Sequence, residues 1–512
     1  MKSHGNNESL VESLIQSKKD KSEEDSVYIE VLLSQEQIPW SGIAKAALME
    51  SKKLWILSGP SITVSILNFM MSAISQMFVG HLGELELAGA CISNVGIQGL
   101  AYGIMLRMSS TVQTVCGQAY GAKQYNMMGV ICQRSIIIMT TTAILLAFVY
   151  WYADPILVAI GQSKEIAAEG AIFARGLIPQ LFALAISDPM QRFLQAQNIV
   201  APLAYLSAGT FLLHILLTWL AVDKLGFGLL GAALTLSLSW WVLVFTTAAY
   251  IFYSPSCKKT WTGFTLNAFT GLWSYFKLTL ASAFMLTLEI WYTQGLVLIS
   301  GFLPNAEIAL DSISVCMNCL NWNLMIMLGL GTATSRRYSN QLGARHPKTA
   351  SFSVLVVVIT CLLISLILSI GVLVLKKELS MAFTSSTVVM RAVFELIPLL
   401  AISVLLNGIQ PILSGVAIGC GWQAAVAYVN LATYYVVGLP IGVISGFKNG
   451  IGVKGIWWGM IVGVALQTLV LIVITSRTDW KKEVQSAEER TRYEKPTIKD
   501  STAVNQYGEI LH

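Results

Sequence analysis

The chain has 512 residues, a net charge of +5, 55% hydrophobic residues and only 12% charged ones. A soluble domain carries roughly twice that charge, so a soluble globular protein is excluded, and the mild positive balance gives no reason to expect a nucleic-acid partner. The eight cysteines are scattered; the one Cys-x-x-Cys, Cys316 and Cys319, lies in an apolar run with no second pair and reads as packing, not metal or redox chemistry.

Residues 1–51 are polar and charged, without the early apolar region of a cleavable signal peptide, and read as a mostly disordered cytosolic tail. Leu32-Leu33 beside Glu30 reads as chance, not a sorting signal. Apolar runs then recur at 55–79, 87–111, 130–152, 168–191, 202–222, 228–253, 274–302, 308–332, 351–375, 392–417, 424–447 and 454–476. Each can span a bilayer as a helix, the one open structure that satisfies its own backbone in lipid. The expected fold is all-α and polytopic, with about twelve transmembrane helices. An even number returns both ends to one side. Lys52, Lys123, Arg134, Arg192, Lys258, Lys259, Arg336, Arg337 and Arg345 fall on that side, and the excess of basic residues makes it cytosolic. Residues 477–512 form a second charged cytosolic tail.

The two halves echo each other at a shift of about 222–224 residues. Gly226-Phe-Gly-Leu-Leu-Gly231 aligns with Gly450-Ile-Gly-Val-Lys-Gly455, Gly121-Ala122 with Gly343-Ala344, and Pro189 with Pro411. Six spans per half give a parallel repeat: one lobe over 52–254, a connector over 255–273 and a second lobe over 274–476. Binding sites in such folds lie near the midplane, and the lobes rock to expose them alternately.

One acid, Glu289, sits near the middle of the seventh span. A charge at membrane depth is costly and marks an ion, proton or substrate path. Glu289 is therefore the candidate proton-coupling residue. Each pH unit across the membrane supplies about 1.4 kcal/mol per proton, roughly a tenfold solute gradient. Candidate cavity-lining residues are Trp291, Tyr292 and Gln294 on the same span, Asn318, Trp322 and Asn323 on the eighth, Asn407 and Gln410 on the tenth, and Tyr434 and Tyr435 on the eleventh. Bonding between helices is the competing use of such amides. Pro189 and Pro411 each remove a backbone hydrogen bond and permit a helix bend. Asp188 is expected to pair with Arg192, Arg107 to snorkel, and His214 to be a packed neutral imidazole. No phosphate-cradling loop, metal cluster or nucleophile triad is apparent. The reading is a transporter and not an enzyme, with no cofactor other than a proton gradient; its partners are the lipid membrane, protons and an organic solute, and it acts as a monomer.

Several stretches resemble plant multidrug and toxic compound extrusion (MATE) transporters: Val79-Gly-His-Leu-Gly-Glu-Leu-Glu-Leu-Ala-Gly-Ala90, Gln113-Thr-Val-Cys-Gly-Gln-Ala-Tyr-Gly-Ala122, Pro189-Met-Gln-Arg-Phe-Leu-Gln-Ala-Gln197, Ser339-Asn-Gln-Leu-Gly-Ala344 and Gln410-Pro-Ile-Leu-Ser-Gly-Val-Ala417. Ser93-Asn-Val-Gly-Ile-Gln-Gly-Leu-Ala-Tyr-Gly-Ile-Met105, Ile172-Phe-Ala-Arg-Gly-Leu-Ile-Pro-Gln180 and Gly455-Ile-Trp-Trp-Gly-Met460 are similar to the flavonoid-carrying, transparent-testa type. The resemblance implies a proton antiporter moving a glycosylated flavonoid from the cytosol into the vacuole, with the vacuolar membrane favoured over the plasma membrane. It puts the family's proton-linked acid on Glu289. It also implies departures, since Asn323 and Asn407 stand where relatives often carry acids. The alternatives are an antiporter for alkaloids or other xenobiotics, and a transport-deficient structural or regulatory membrane protein.

Overall fold

A computed structural model describes residues 23–300, 303, 306–383 and 387–493, apart from a few side chains within them. The remainder of both tails lies outside the described residues. Long apolar runs leave the backbone no partner but itself, and the chain folds into helices almost throughout. In chain order these are α1 (23–32), α2 (Trp40–Gly80), α3 (Glu84–Gly121), α4 (Tyr125–Trp151), α5 (Ala153–Ala159), α6 (Lys164–Gly176), α7 (Ile178–Ala196), α8 (Ala201–Lys224) and α9 (Gly228–Tyr253). There follow α10 (Leu272–Ser300), α11 (Ala306–Gly343), α12 (Pro347–Val374), α13 (Lys376–Phe383), α14 (Thr387–Cys420), α15 (Gln423–Lys448), α16 (Val453–Arg477) and α17 (Trp480–Tyr493).

Ten of these helices are long and apolar enough to cross a membrane, and the bent pair α6–α7 makes an eleventh. α10 is not in that set, but its 29 residues extend about 43 Å at 1.5 Å per residue, long enough to be the twelfth expected span. It is the span with the acid in its middle. Spans one to six form one lobe and seven to twelve the other. The two described end segments, α1 and α17, dock on one face, beside the end of α11 and the start of α12, here the terminal face.

A broken span occurs near a third proline. Pro189 and Pro411 both lie inside continuous helices, α7 and α14. The fourth span instead bends by 44° between Gly176 and Ile178. Pro179 lacks an N–H and disfavours helical geometry just before it, so it starts a new helix instead of extending the old one.

The amino-terminal segment differs from the expected disordered tail over its described part. Residues 23–32 are helical and α2 begins at Trp40, well before the apolar run. Ile29, Leu32 and Ala46 are buried together, so Leu32 is not displayed as a sorting signal would be. Arg337 holds the Glu50 carboxylate through Nε at 2.7 Å and Nη2 at 2.9 Å, and Ser353 donates to Glu50 Oε1 at 2.6 Å. The Glu30 carboxylate accepts from the backbone N–H groups of Lys348 and Thr349, capping the start of α12. The carboxy-terminal tail likewise begins with a docked helix: Val484 and Ala487 of α17 are buried against Tyr338 and Leu342.

The connector packs on the first lobe. Gln133 bonds the carbonyl of Gly263 and accepts from the N–H of Thr265, and Thr260 donates to Gln197 at 2.7 Å.

Candidate functional site

The lobes meet along α3 and α11, and small residues set how closely. A side chain at Gly121 would collide with the Asn340 carbonyl, and one at Gly343 with the Gln118 carbonyl. The two contacts exchange roles under the repeat: Gly121 and Gly343, like Gln118 and Asn340, are 222 residues apart. The helices therefore cross on the pseudo-twofold axis, backbone against backbone. Hydrogen bonds between lobes surround the crossing. Gln118 Nε2 donates to the Gly419 carbonyl at 2.9 Å, Thr114 to that of Ile418 at 2.6 Å, and Asn340 Nδ2 to that of Ala196 at 3.3 Å. The molecule is closed at its terminal face.

Above this closure lies a cavity of about 170 Å³. Arg107, Gln113 and Arg192 line it from the first lobe, and Glu289, Thr332 and Gln410 from the second. Its floor is a polar bridge: Gln113 Nε2 donates to the Thr332 carbonyl at 2.7 Å, while Arg192 Nη1 donates to Gln113 Oε1 at 3.0 Å and to Thr332 Oγ1 at 3.5 Å. Asn321 also lines the cavity and is exposed.

Glu289 faces this hollow, with Arg107 within electrostatic reach and the Gln410 amide beside it. Its Oε2 is buried and accepts no hydrogen bond. A carboxyl with a spare oxygen, next to a cavity and enclosed by both lobes, can exchange a proton or accept a hydroxyl donor.

The other expected site residues divide. Gln410 and Pro411 line the cavity. Tyr292 does not: it stacks on Tyr434 with centroids 4.6 Å apart, and the two hydroxyls donate to the Gly459 carbonyl and to Gln467 Oε1. Tyr435 donates to the Leu288 carbonyl at 2.9 Å. These rings join α10 to α15 and α16, and such buried hydroxyls need a fixed acceptor. Trp291 is 55% exposed on the outer surface of α10. Asn318 is exposed and bonded to its own helix at Ser314. Trp322 packs edge-on against Phe69. Asn323 is buried with both amide atoms unbonded, and Asn407 is half-buried; neither lines the cavity. The Gln294 side chain lies outside the described residues.

Three first-lobe contributors, and Thr332 of the second lobe, differ from expectation or were missed. Arg107 lines the cavity instead of reaching for the membrane surface. Arg192 lies in the field of Asp188, yet its hydrogen bonds go to Gln113, Gln195 and Thr332, and Asp188 Oδ2 accepts none. Gln113 and Thr332 had no sequence signal beyond polarity. His214 is packed as expected, bonded to Ser75, Ser239 and the Met71 carbonyl.

The family model described as MatE matches residues 60–220 and again 281–444, so both halves match one pattern at the spacing of the repeat. Protein DETOXIFICATION 41 of Arabidopsis thaliana is 63% identical over 448 residues, covering 88% of each chain. Protein DETOXIFICATION 37 of the same plant is 46% identical over 463 residues, covering 90% of this chain and 92% of the relative. The crystal structure of the eukaryotic MATE transporter AtDTX14 aligns with a TM-score of 0.83 at 36% identity, over 87% of this chain and 99% of that one. An outward-facing multidrug resistance MATE transporter shares the fold, with a TM-score of 0.76 at 16% identity. With its two six-helix lobes and the cavity between them, the chain belongs to the MATE family of transporters.

Proposed function

We propose that this protein is a proton-coupled antiporter that moves an organic solute, a glycosylated flavonoid, out of the cytosol and into the vacuole. The carrying observation is the position of Glu289, a solitary acid of the second lobe facing a cavity that both lobes enclose. Deprotonated, it accepts hydroxyl donors from a solute. Protonated from the acidic side, it loses its charge, becomes a weaker acceptor and releases them. Binding at one face and release at the other then follow from which side supplies the proton.

The terminal face is read as cytosolic, from its excess of Lys and Arg. The cavity, at about 170 Å³, is smaller than the roughly 300 Å³ at which ligand pockets begin. Loading therefore needs the lobes to part, which suits alternating access by a monomer in the vacuolar membrane. A flavonoid cargo rests on the transparent-testa-type stretches of the sequence.

The test is uptake into vesicles with an imposed acid-inside gradient. Glu289→Gln should abolish gradient-driven uptake of a flavonoid glucoside while expression and melting temperature stay near those of the unmodified protein. Undiminished uptake by this variant removes the mechanism.

A further inference from the structure

A second, larger hollow of about 880 Å³ opens at the terminal face, between the ends of α12 and α16. Its floor is apolar, formed by buried Val354 and half-buried Val358, with buried Leu413 of α14 behind them. Its walls are Leu355 and Ile472, 56% and 42% exposed and continuous with the outer surfaces of two membrane spans. An apolar floor opening between two spans suits an acyl chain, which the surrounding bilayer supplies.

The rim has the opposite character. It carries the ammonium groups of Lys348 and Lys481, with the hydroxyls of Ser351 and Thr478 between. Asp479 is also on the rim, but its carboxylate faces Lys482 at 4.0 Å, so that charge is shared with a cation outside the hollow. Among the lining residues, Lys348 and Lys481 against Asp479 leave one positive charge. Basic pockets between spans at the cytosolic side suit anionic head groups, which are concentrated in that leaflet.

The hollow also touches both docked terminal segments. Leu33, just after α1, and Trp480, the first residue of α17, line it. Lys348 Nζ donates to the Leu33 carbonyl at 3.1 Å. Trp480 stacks on Trp422 with centroids 6.2 Å apart and meets Tyr338 edge-on. A molecule filling the slot would brace both segments against α12.

We propose that this groove binds an anionic phospholipid of the leaflet at the terminal face. Lys348 and Lys481 hold its phosphate, one acyl chain lies over Val354, Val358 and Leu413, and the bound lipid keeps α1 and α17 docked. The assignment of leaflet rests on the cytosolic reading above. Binding is measured without a gradient, so it can succeed where the transport reading fails, and the reverse.

The test uses the full-length protein in detergent, titrated with phosphatidylserine or phosphatidylcholine carrying brominated acyl chains, which quench tryptophan only on contact. Trp480→Phe identifies the Trp480 component. Phosphatidylserine should quench it and raise the melting temperature. Lys348→Gln/Lys481→Gln should weaken phosphatidylserine about thirtyfold, at about fivefold per lysine, and leave phosphatidylcholine unchanged. Lys258→Gln/Lys259→Gln, on the exposed connector, should change neither. Equal affinity for the two lipids overturns the proposal. So does an equal loss in the connector variant, which would indicate general surface charge, and so does equally tight binding by glycerophosphoserine without acyl chains.

Discussion

The two lobes carry the same helix at corresponding places and charge it differently. The repeat that pairs Pro189 with Pro411 also pairs Asp188 with Gln410 and Arg192 with Ser414. In the second lobe the positions are neutral, and Gln410 Nε2 donates to Ser414 Oγ at 3.2 Å. In the first lobe they are an acid and a base, and the base reaches across to Gln113 and Thr332. The acid Glu289 of the second lobe faces, under the same shift, the stretch from Ser65 to Asn68, which has none. Each end of the chain also carries a docked appendage with a carboxylate, buried at Glu50 and half-buried at Glu483. Glu50 of α2 is fully paired by Arg337, whereas Glu483 of α17 keeps Oε2 unbonded. Duplication supplied the scaffold twice. The first lobe uses Arg192 to hold the closure, and the second keeps one acid with an unbonded oxygen at the cavity.

The largest effect should come from removing that asymmetry at Glu289. The Gln variant is expected to reduce gradient-driven uptake to background, whereas Asp188→Asn, the matching change in the first lobe, should retain measurable uptake. Next comes a feature the lobes share without modification. Gly121→Ala or Gly343→Ala places a methyl against a backbone carbonyl that cannot yield. Overpacking of this kind costs about 1–3 kcal/mol. Either should expose Cys116, now buried beside the crossing, to a thiol reagent, and the two should do so about equally. A third comparison sets Arg192→Met against Ser414→Ala. Hydrogen bonds from a charged group are worth about 1.5–3 kcal/mol and neutral ones about 1 kcal/mol, so the first-lobe variant should show the greater drop in melting temperature.

These contrasts also show what the sequence could reveal. The twelve spans and the repeat were legible because apolar length and backbone satisfaction leave no other structure in lipid. Glu289 and Gln410 were legible because polarity at depth needs a reason. Tyr292, Tyr434 and Tyr435 were misjudged as cavity residues because composition cannot distinguish a ring that lines a hollow from one that joins two helices. Arg107, Gln113 and Thr332 required the register between α3 and α11, which the glycine crossing fixes and no single span encodes. The docked amino-terminal segment was hidden for the same reason. Its polar residues look disordered until Glu50 meets Arg337, 287 positions away.

The smallest expected effect concerns the appendages, where pH separates the paired carboxylate from the unpaired one. Burial raises the Glu483 carboxyl above its ordinary value of 4.5, against the opposing influence of Trp422 and Arg490. A carboxyl raised in the folded state prefers its proton there. Its contribution to docking is therefore fully present below 4.5 and is lost as pH rises through the raised value. The emission of Trp480, stacked on Trp422, should report α17 loosening slightly as pH climbs through that interval. Glu483→Gln is neutral at every pH and should flatten the response, while Glu488→Gln, which breaks only the exposed pair with Arg345, should leave it intact. A response that persists in Glu483→Gln would mean that another group senses pH at this helix, and the contrast with Glu50 would then lie in packing and not in charge.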